Sequence, residues 1–179
     1  MIVALSGRRI DAPDARQPRF PLDNVGLVAQ RIRLLFEEQK PRVLVCAAAN
    51  GADLLALEAA GDLSIERHII LPFPPEIFRT TSVIDRPGPW GERFDRLLSH
   101  LGSQEQVVSL GCSTGDETAY EATNRAILQQ VQLRGGRMRE AIMAVLVWNG
   151  SPRGEQDNTL QFQKAALKIG LPIREILTL

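Results

Sequence analysis

The chain has 179 residues, which is enough for one domain but short for two. Lysine and arginine together number 21, and aspartate and glutamate also number 21, so the formal net charge is zero. A neutral chain has no overall electrostatic attraction for nucleic acid or an anionic membrane, which argues against a general nucleic-acid-binding protein. Hydrophobic residues make up 44% and charged residues 23%, as in globular proteins. We therefore predict a single globular domain over residues 1–179.

Signals for metal binding and for a membrane are absent from the sequence. The two cysteines, Cys46 and Cys112, lie within or just after apolar runs and are expected to be buried thiols. The two histidines, His68 and His100, are isolated and there is no CxxC motif, so we predict no metal site. No apolar run approaches about 18 residues, and the N-terminus lacks the basic start of a signal peptide. We expect a soluble, cytoplasmic protein.

Short apolar runs alternate with longer amphipathic segments along the chain. The apolar runs predict six strands, at 2–5, 42–47, 67–71, 106–110, 142–148 and 172–177. Because each run is nearly continuous, we expect parallel strands covered on both faces. A 3.6-residue period predicts the main helices, at 25–39, 90–101, 116–131 and 159–169. This alternation predicts an α/β fold with a three-layer, doubly wound, mainly parallel sheet of the Rossmann-like type.

The first connection from strand to helix, at 7–21, is long and lies at the edge where such folds bind ligands. Ser6 and Gly7 permit a close approach of the backbone to a ligand, and Arg8 and Arg9 suit a phosphate group. There is no GxGxxG fingerprint. The alternative interpretation is a tight turn followed by solvated arginines.

Two similar junctions follow the second and third strands. Asn50 and Gly51 supply a turn, and Asp53 can cap the next helix or bind a ribose hydroxyl. Helix capping and the packing of small residues explain the same pattern without a ligand. After the third strand, Pro72 ends the ladder, and Phe73 can stack on a base or belong to the core.

The predicted helix at 116–131 carries Tyr120 and Asn124 on an otherwise apolar stripe, at the end near the carboxyl edge of the sheet. Buried polar side chains need partners, which are either backbone groups or a ligand in the cleft. Glu117 and Glu121 lie one turn apart nearby. They are the candidates for acid–base catalysis, or are simply solvated carboxylates.

A glycine-rich polar loop follows the fifth strand and leads into the last helix. Asn149, Gly150 and Gly154 belong to this loop, and Asn158 and Thr159 open the helix. Helix N-termini attract phosphate groups. Three such junctions at one sheet edge therefore predict an anion-binding site.

Together these junctions resemble a branch of the SLOG superfamily of Rossmann-like, nucleotide-binding domains. The resemblance rests on Phe78 and on the residues at 6–13, 19–21, 51–53, 71–73 and 82–83. The superfamily includes cytokinin-activating phosphoribohydrolases, molybdenum-cofactor carriers and DNA-processing proteins. In the branch that this chain resembles, the domain often precedes cyclase or repeat modules and is thought to sense nucleotide ligands.

The sequence departs from the phosphoribohydrolases at their catalytic motif. Those enzymes carry PGGxGTxxE after the penultimate strand, where the glycines bind phosphate and the glutamate takes part in catalysis. The matching stretch here, at 149–159, keeps Thr159 but not the glycine pair, and Phe162 stands at the position of the glutamate. The resemblance therefore implies phosphate binding and does not extend to hydrolysis.

The function predicted from the sequence is the binding or sensing of a nucleotide or nucleotide-derived ligand at the carboxyl edge of the sheet, without catalysis. Asp53 and Asn124 are expected to hold the sugar or base, and Tyr120 or Phe73 to stack on the base. The phosphate is expected to be cradled by residues of three junctions, namely Ser6, Gly7, Arg8, Gly51, Gly150, Asn158 and Thr159.

Two alternatives remain open at this stage. The first is a nucleotide N-glycosidic hydrolase or transferase of phosphoribohydrolase type, with Glu117 or Glu121 as the acid–base group. The second is a single-stranded DNA-binding protein, against which the zero net charge argues. The expected partner is a small-molecule nucleotide, with a second copy of the chain or a signalling protein as further candidates. No other cofactor is expected.

Overall fold

The computed structural model describes residues 1–102 and 106–179. The strands of this part are β1 (Ile2–Gly7), β2 (Val43–Cys46), β3 (Glu66–Leu71), β4 (Gln106–Ser109), β5 (Ile142–Trp148) and β6 (Ile173–Leu177). The helices are α1 (Val25–Gln39), α2 (Ala52–Asp62), α3 (Pro75–Phe78), α4 (Trp90–Ser99), α5 (Ala119–Met138) and α6 (Asn158–Lys168). A 3₁₀ turn at Leu22–Asn24 precedes α1, and a π-helical turn at Arg79–Val83 follows α3.

The six strands form one parallel sheet in the order β4-β3-β2-β1-β5-β6. The chain winds outward from β1 to β4 and then returns to place β5 on the other side of β1, where Ala4 of β1 pairs with Ala144. The direction of winding thus changes between β1 and β5, the position at which open α/β sheets bind ligands. The predicted α/β fold is confirmed, and the strand ends at Gly7, Cys46 and Trp148 share one edge.

The core lies on both faces of the central strands. Val3 and Leu5 of β1 pack with α1, α2 and α4, whereas Ile2 and Ala4 pack with α5 and α6 on the opposite face. Successive residues of a strand point to opposite faces, so a strand with helices on both sides must be apolar throughout. This explains why the sequence shows continuous apolar runs and little alternation.

The expectation that every strand is covered on both faces is wrong for β4 and β6. These strands form the two edges of the sheet, and Val108 in β4 and Leu177 in β6 are 44% and 48% exposed. The helices pack over the central strands and leave the edge strands partly uncovered. Apolar composition alone does not distinguish an edge strand from a central one.

The predicted helix at 116–131 differs from α5 at both ends. Its N-terminal three residues form a turn in which Asp116 accepts hydrogen bonds from the N–H and the hydroxyl of Thr118. At the other end, α5 continues past Val131 through a polar segment to Met138, and Gly135 lies against Ile142. Apolar periodicity stops where the helix leaves the core, and for this reason it underestimates the length of the helix.

The two cysteines are free, and Cys46 is buried as predicted, whereas Cys112 is only partly buried. No group of side chains in the described part of the chain is arranged to hold a metal ion. Among the same residues, no helix combines the length and the apolar character needed to cross a membrane.

Candidate ligand-binding site

A cavity of about 490 Å³ lies at the carboxyl edge of the sheet, a size typical of small-molecule sites. Its walls come from the ends of β1 to β3, the β1–α1 connection, the N-terminal half of α5 and the start of α6. It brings together many of the predicted site residues: Ser6, Gly7, Arg8, Arg9, Asp53, Pro72, Tyr120, Asn124, Asn158 and Thr159.

The remaining predicted residues do not line the cavity, and two of them, Gly150 and Gly154, are exposed; the others are Asn50, Gly51, Phe73 and Asn149. Asn50 is fully buried and ties two loops together, because its Oδ1 accepts the N–H of Ile10 at 3.0 Å and its Nδ2 donates to Asp85 at 2.9 Å. Asn149 accepts a hydrogen bond from Arg8 at 3.3 Å. These residues shape the loops that carry the lining side chains.

Two glycines allow the end of β1 and the start of α2 to approach each other. A Cβ atom on Gly7 would lie 2.3 Å from the Cβ of Ala52, and one on Gly51 would lie 2.7 Å from the carbonyl oxygen of Arg8. Gly51 also has a φ of +87°, which side chains disfavour. The sequence predicts that Gly7 lets the backbone approach a ligand. In the structure, Gly7 and Gly51 let α2 pack closely against the end of β1 and the β1–α1 connection.

Arg8, predicted as a phosphate ligand, is held by groups of the protein itself. Its guanidinium donates to Asp157 at 2.5 Å, to the carbonyl of Ser151 at 2.7 Å and to Asn149 at 3.3 Å, and it lies over the ring of Trp148. The side chain is only 4% exposed. Burial lowers the pKa of Arg8, against the opposing effect of Asp157. Arg8 therefore fixes the β5–α6 loop, and most of its donors are already used.

The N-terminus of α6, also predicted to bind phosphate, is capped by Asp157. One carboxylate oxygen of Asp157 accepts the N–H groups of Thr159 at 2.9 Å and Leu160 at 3.2 Å. Burial by itself would raise the pKa of Asp157, but hydrogen bonds from the Arg153 N–H and from Arg8 outweigh it and lower the pKa to about 2. The carboxylate of Asp157 thus stands where the sequence predicts a phosphate.

Among the described residues, the cavity is lined by six arginines and two aspartates. The arginines are Arg8, Arg9, Arg16, Arg19, Arg86 and Arg153, and the aspartates are Asp11 and Asp53. The sequence predicts no ligand role for Arg16, Arg19, Arg86 and Arg153, because isolated arginines in loops have the appearance of ordinary surface charges. The available signal was that three long connections, at 7–21, 84–89 and 149–157, all reach one edge of the sheet.

The β1–α1 connection is anchored at both ends, which places its arginines over the cavity. Asp11 accepts the N–H groups of Arg19 at 2.8 Å and Phe20 at 3.0 Å, and the side chains of Ile10 and Phe20 are buried. The turn between these anchors is exposed. Arg16, within this turn, makes no hydrogen bond or ion pair with any residue that the structure describes. Its guanidinium is available to an anion.

Asp53 is the buried carboxyl group of the cavity. Its side chain lies in the first turn of α2, and one oxygen accepts the N–H of Ala49 at 3.3 Å. The other oxygen, Oδ1, has no hydrogen-bond partner among the described residues, and the residue is 7% exposed. Burial raises the pKa of Asp53 to about 7, although the Ala49 N–H and the charge of Arg9 act in the opposite direction. An unpartnered buried oxygen that faces a cavity is suited to a ligand group.

The two polar residues on the inner stripe of α5 line the cavity and also contact the protein. The hydroxyl of Tyr120 forms a hydrogen bond with the hydroxyl of Ser82 at 2.7 Å, and Asn124 donates to the carbonyl of Asn158 at 2.9 Å. Phe73 is buried and meets the ring of Tyr120 edge to face, with centroids 6.1 Å apart. Phe73 thus belongs to the core, and Tyr120 is the aromatic candidate within the cavity.

The carboxylates considered for catalysis lie outside the cavity. Glu117 and Glu121 are exposed, and Glu121 pairs with Arg125 at 3.7 Å on the surface of α5. Phe162, at the position of the hydrolase glutamate, is fully buried in the core. Of the two aspartates that line the cavity, Asp11 is bonded to backbone N–H groups, whereas Asp53 has one oxygen with no hydrogen-bond partner among the described residues.

Solved structures of other proteins are similar to this chain, and they include the following two. DNA processing protein A from Streptococcus pneumoniae matches over 96% of this chain and 57% of its own, with 15% identity and a TM-score of 0.44. The Moco carrier protein from Chlamydomonas reinhardtii matches over 97% and 87%, with 12% identity and a TM-score of 0.37. The chain thus spans little more than half the length of DNA processing protein A. No protein-family profile and no curated protein sequence matches it.

Proposed function

We propose that this protein binds a nucleotide or nucleotide-derived anion in the cavity at the carboxyl edge of the sheet, without turnover. The observation that carries the proposal is the concentration of six arginines around one cavity in a chain of zero net charge. Their carboxylate partners, Asp85 and Asp157, are fewer than the arginines that they hold. An excess of positive charge within a partly enclosed cavity favours an anionic ligand.

Different lining residues bind different parts of the proposed ligand. The arginines offer charge-assisted hydrogen bonds to phosphate oxygens, and Arg16 brings donors that none of the described residues uses. Asp53 and Asn124 hold the polar edges of the sugar or base, and Tyr120 supplies an aromatic surface. The resemblance of the junction motifs to the SLOG superfamily supports the same ligand class, and we propose that the chain belongs to that superfamily.

A thermal-shift screen followed by isothermal titration calorimetry tests the proposal. The panel contains nucleoside mono-, di- and triphosphates, NAD and ADP-ribose, with the unphosphorylated nucleosides and inorganic phosphate as controls. A ligand present at 100 times its dissociation constant raises the free energy of unfolding by about 2.7 kcal/mol. We expect Arg9→Gln to weaken binding and Arg125→Gln, on the outer surface of α5, to leave it unchanged.

Two results would contradict the proposal. Failure of every nucleotide in the panel to stabilise the protein would remove the proposed ligand class. Salt-sensitive binding of a single-stranded oligonucleotide, with no binding of mononucleotides, would instead favour a nucleic-acid-binding protein.

The position of Asp53 favours a nucleotide N-glycosidic hydrolase as the second candidate. A buried carboxyl with a pKa near 7 can exist in either protonation state at neutral pH, as a general acid or base requires. Hydrolysis would consume water and release a free base and a ribose phosphate. Chromatography after prolonged incubation distinguishes the candidates. We expect intact nucleotide, whereas base release that is lost in Asp53→Asn and kept in Glu117→Gln would establish the enzyme.

A further inference from the structure

The consecutive residues Arg8 and Arg9 leave the end of β1 in different directions. Arg8 reaches the β5–α6 loop, where it contacts Ser151 and Asp157. Arg9 reaches the segment that follows the π-helical turn, where it contacts Asp85 at 2.6 Å. The positive charge of the cavity is therefore divided between two walls.

The first wall carries the Arg9–Arg86 pair. Both guanidinium groups donate to the same oxygen of Asp85, at 2.6 and 2.7 Å. The other oxygen of Asp85 accepts a hydrogen bond from the buried Asn50. The aspartate thus fixes the orientation of both arginines, and one carboxylate against two guanidinium groups leaves positive charge in excess. Both side chains remain partly exposed and line the cavity.

The second wall carries the Arg19–Arg153 pair. Arg153 donates to Asp157 at 3.2 Å, and Arg19 donates to the carbonyl of Ser151 at 3.3 Å. Asp157 is already paired with the buried Arg8, so two guanidinium groups contact one carboxylate on this wall, and Arg19 shares the Ser151 carbonyl with Arg8. Arg153 is 54% exposed on its side chain, and several of its donors face solvent or cavity.

The uncharged polar residues of α5 connect the two walls. On one side, Tyr120 forms a hydrogen bond with Ser82, which is next to Thr81, whose carbonyl accepts a hydrogen bond from Arg9. On the other side, Asn124 donates to the carbonyl of Asn158, which is next to Asp157. Tyr120 and Asn124 are four residues apart, a distance of about 6 Å along a helix. The two cationic walls are thus connected by an uncharged, hydrogen-bonding stretch of α5.

We propose that the cavity recognises a nucleoside that carries phosphate groups on two different sugar oxygens, such as a nucleoside 3′,5′-bisphosphate. The Arg9–Arg86 pair binds one phosphate, the Arg19–Arg153 pair binds the other, and the nucleoside lies against α5 between them. This proposal rests on the proposed nucleotide binding and adds the placement of the anionic groups. A nucleoside 5′-diphosphate has both phosphates at one end, and NAD has both at its centre, so neither matches two separate walls.

Calorimetry with three adenosine derivatives tests this placement. The ligands are the 3′,5′-bisphosphate, the 5′-monophosphate and the 5′-diphosphate, with NAD as a fourth probe. A charged hydrogen bond contributes enough for about a tenfold change in affinity or more. We therefore expect the bisphosphate to bind at least about tenfold more tightly than each of the other three. Equal affinity for the 5′-diphosphate would overturn the proposal. If adenosine derivatives fail together, the guanosine, cytidine and uridine series repeat the comparison.

Variants on each wall provide an independent test. Arg86→Gln and Arg153→Gln each remove one charge from one wall, and the partly exposed positions should tolerate glutamine, with the melting temperature as the check. We expect each variant to reduce the affinity for the bisphosphate to about the level of a monophosphate. The 5′-monophosphate, which occupies one wall, should respond to one of the two variants and not to both.

The outcomes separate this inference from the proposed function on which it rests. If no nucleotide binds, both proposals fail. If nucleotides bind and the bisphosphate gains nothing over the monophosphate, or one wall variant is without effect on it, only the two-wall proposal fails. Arg125→Gln, which removes an arginine outside the cavity, controls for the change in total charge.

Discussion

Replacing Asp53 by asparagine removes a buried charge from the first turn of α2 with little change in shape. The pKa of Asp53 rises from 3.8 to about 7 on folding because burial disfavours the ionised form. Between these values the folded state binds more protons than the unfolded state, so the free energy of unfolding falls as the pH rises. At about 1.4 kcal/mol per pKa unit, the ionised carboxylate costs about 4 kcal/mol at pH 8 and less than about 1 kcal/mol at pH 4.

Urea denaturation of the wild type and of Asp53→Asn from pH 5 to pH 8 measures this effect. The stability of the variant relative to the wild type should rise by about 3 kcal/mol across that range and level off above pH 8. Asp62→Asn, at the exposed end of the same helix, should show no such trend. A difference that stays constant with pH, or a variant less stable than the wild type throughout, would mean that Asp53 is ionised and well paired in the folded protein.

Three further predictions concern the elements that shape the cavity. Arg8→Ala leaves the buried carboxylate of Asp157 without its main partner and should lower the free energy of unfolding by about 3–5 kcal/mol, whereas Arg125→Ala on the surface should change it by less than about 1 kcal/mol in urea titrations. Because the pKa of Asp157 is lowered to about 2, about 2 kcal/mol of stability present above pH 4 should be lost as the pH falls from 4 to 2, and a Tm that stays level in that range would contradict this. Gly51→Ala should lower the free energy of unfolding by at least about 1–3 kcal/mol, because residue 51 has a φ of +87° and the new Cβ atom would lie 2.7 Å from the carbonyl oxygen of Arg8. Gly26→Ala, whose Cβ atom would lie in open space on α1, should raise the free energy of unfolding by about 0.5–1 kcal/mol.

The architecture was predictable because its signal is repeated along the chain. Each central strand must be apolar on both faces because helices cover both sides of the sheet. Each helix must be apolar on the face that packs against the sheet, as with Val28 and Ile32 of α1 or Phe162 and Ala166 of α6. Parallel strands then place all their carboxyl ends at one edge. The location of the cavity follows from this topology, which places Ser6 of β1 and Asp53, in the first turn of α2, in its lining.

The roles of individual residues were harder to predict because they depend on contacts between distant segments. Arg8 and Asp157 are 149 residues apart, and nothing in either local sequence indicates a buried ion pair. From the sequence, the N–H groups at the start of α6 are expected to bind phosphate, but in the structure the side chain of Asp157 accepts hydrogen bonds from them. In the same way, Asn50 has the appearance of a turn residue and is in fact the buried link between two loops.

Net charge illustrates the same difference between composition and arrangement. The sequence is neutral, and neutrality argues correctly against a uniform positive field over the molecule. It says nothing about a local excess, which here arises because Asp85 and Asp157 each hold more than one arginine at the cavity, while carboxylates such as Glu121 lie on the outer surface. Local charge around a cavity is screened less than charge on an open surface. The arrangement of the arginines, more than their number, is therefore the basis on which we propose an anionic ligand.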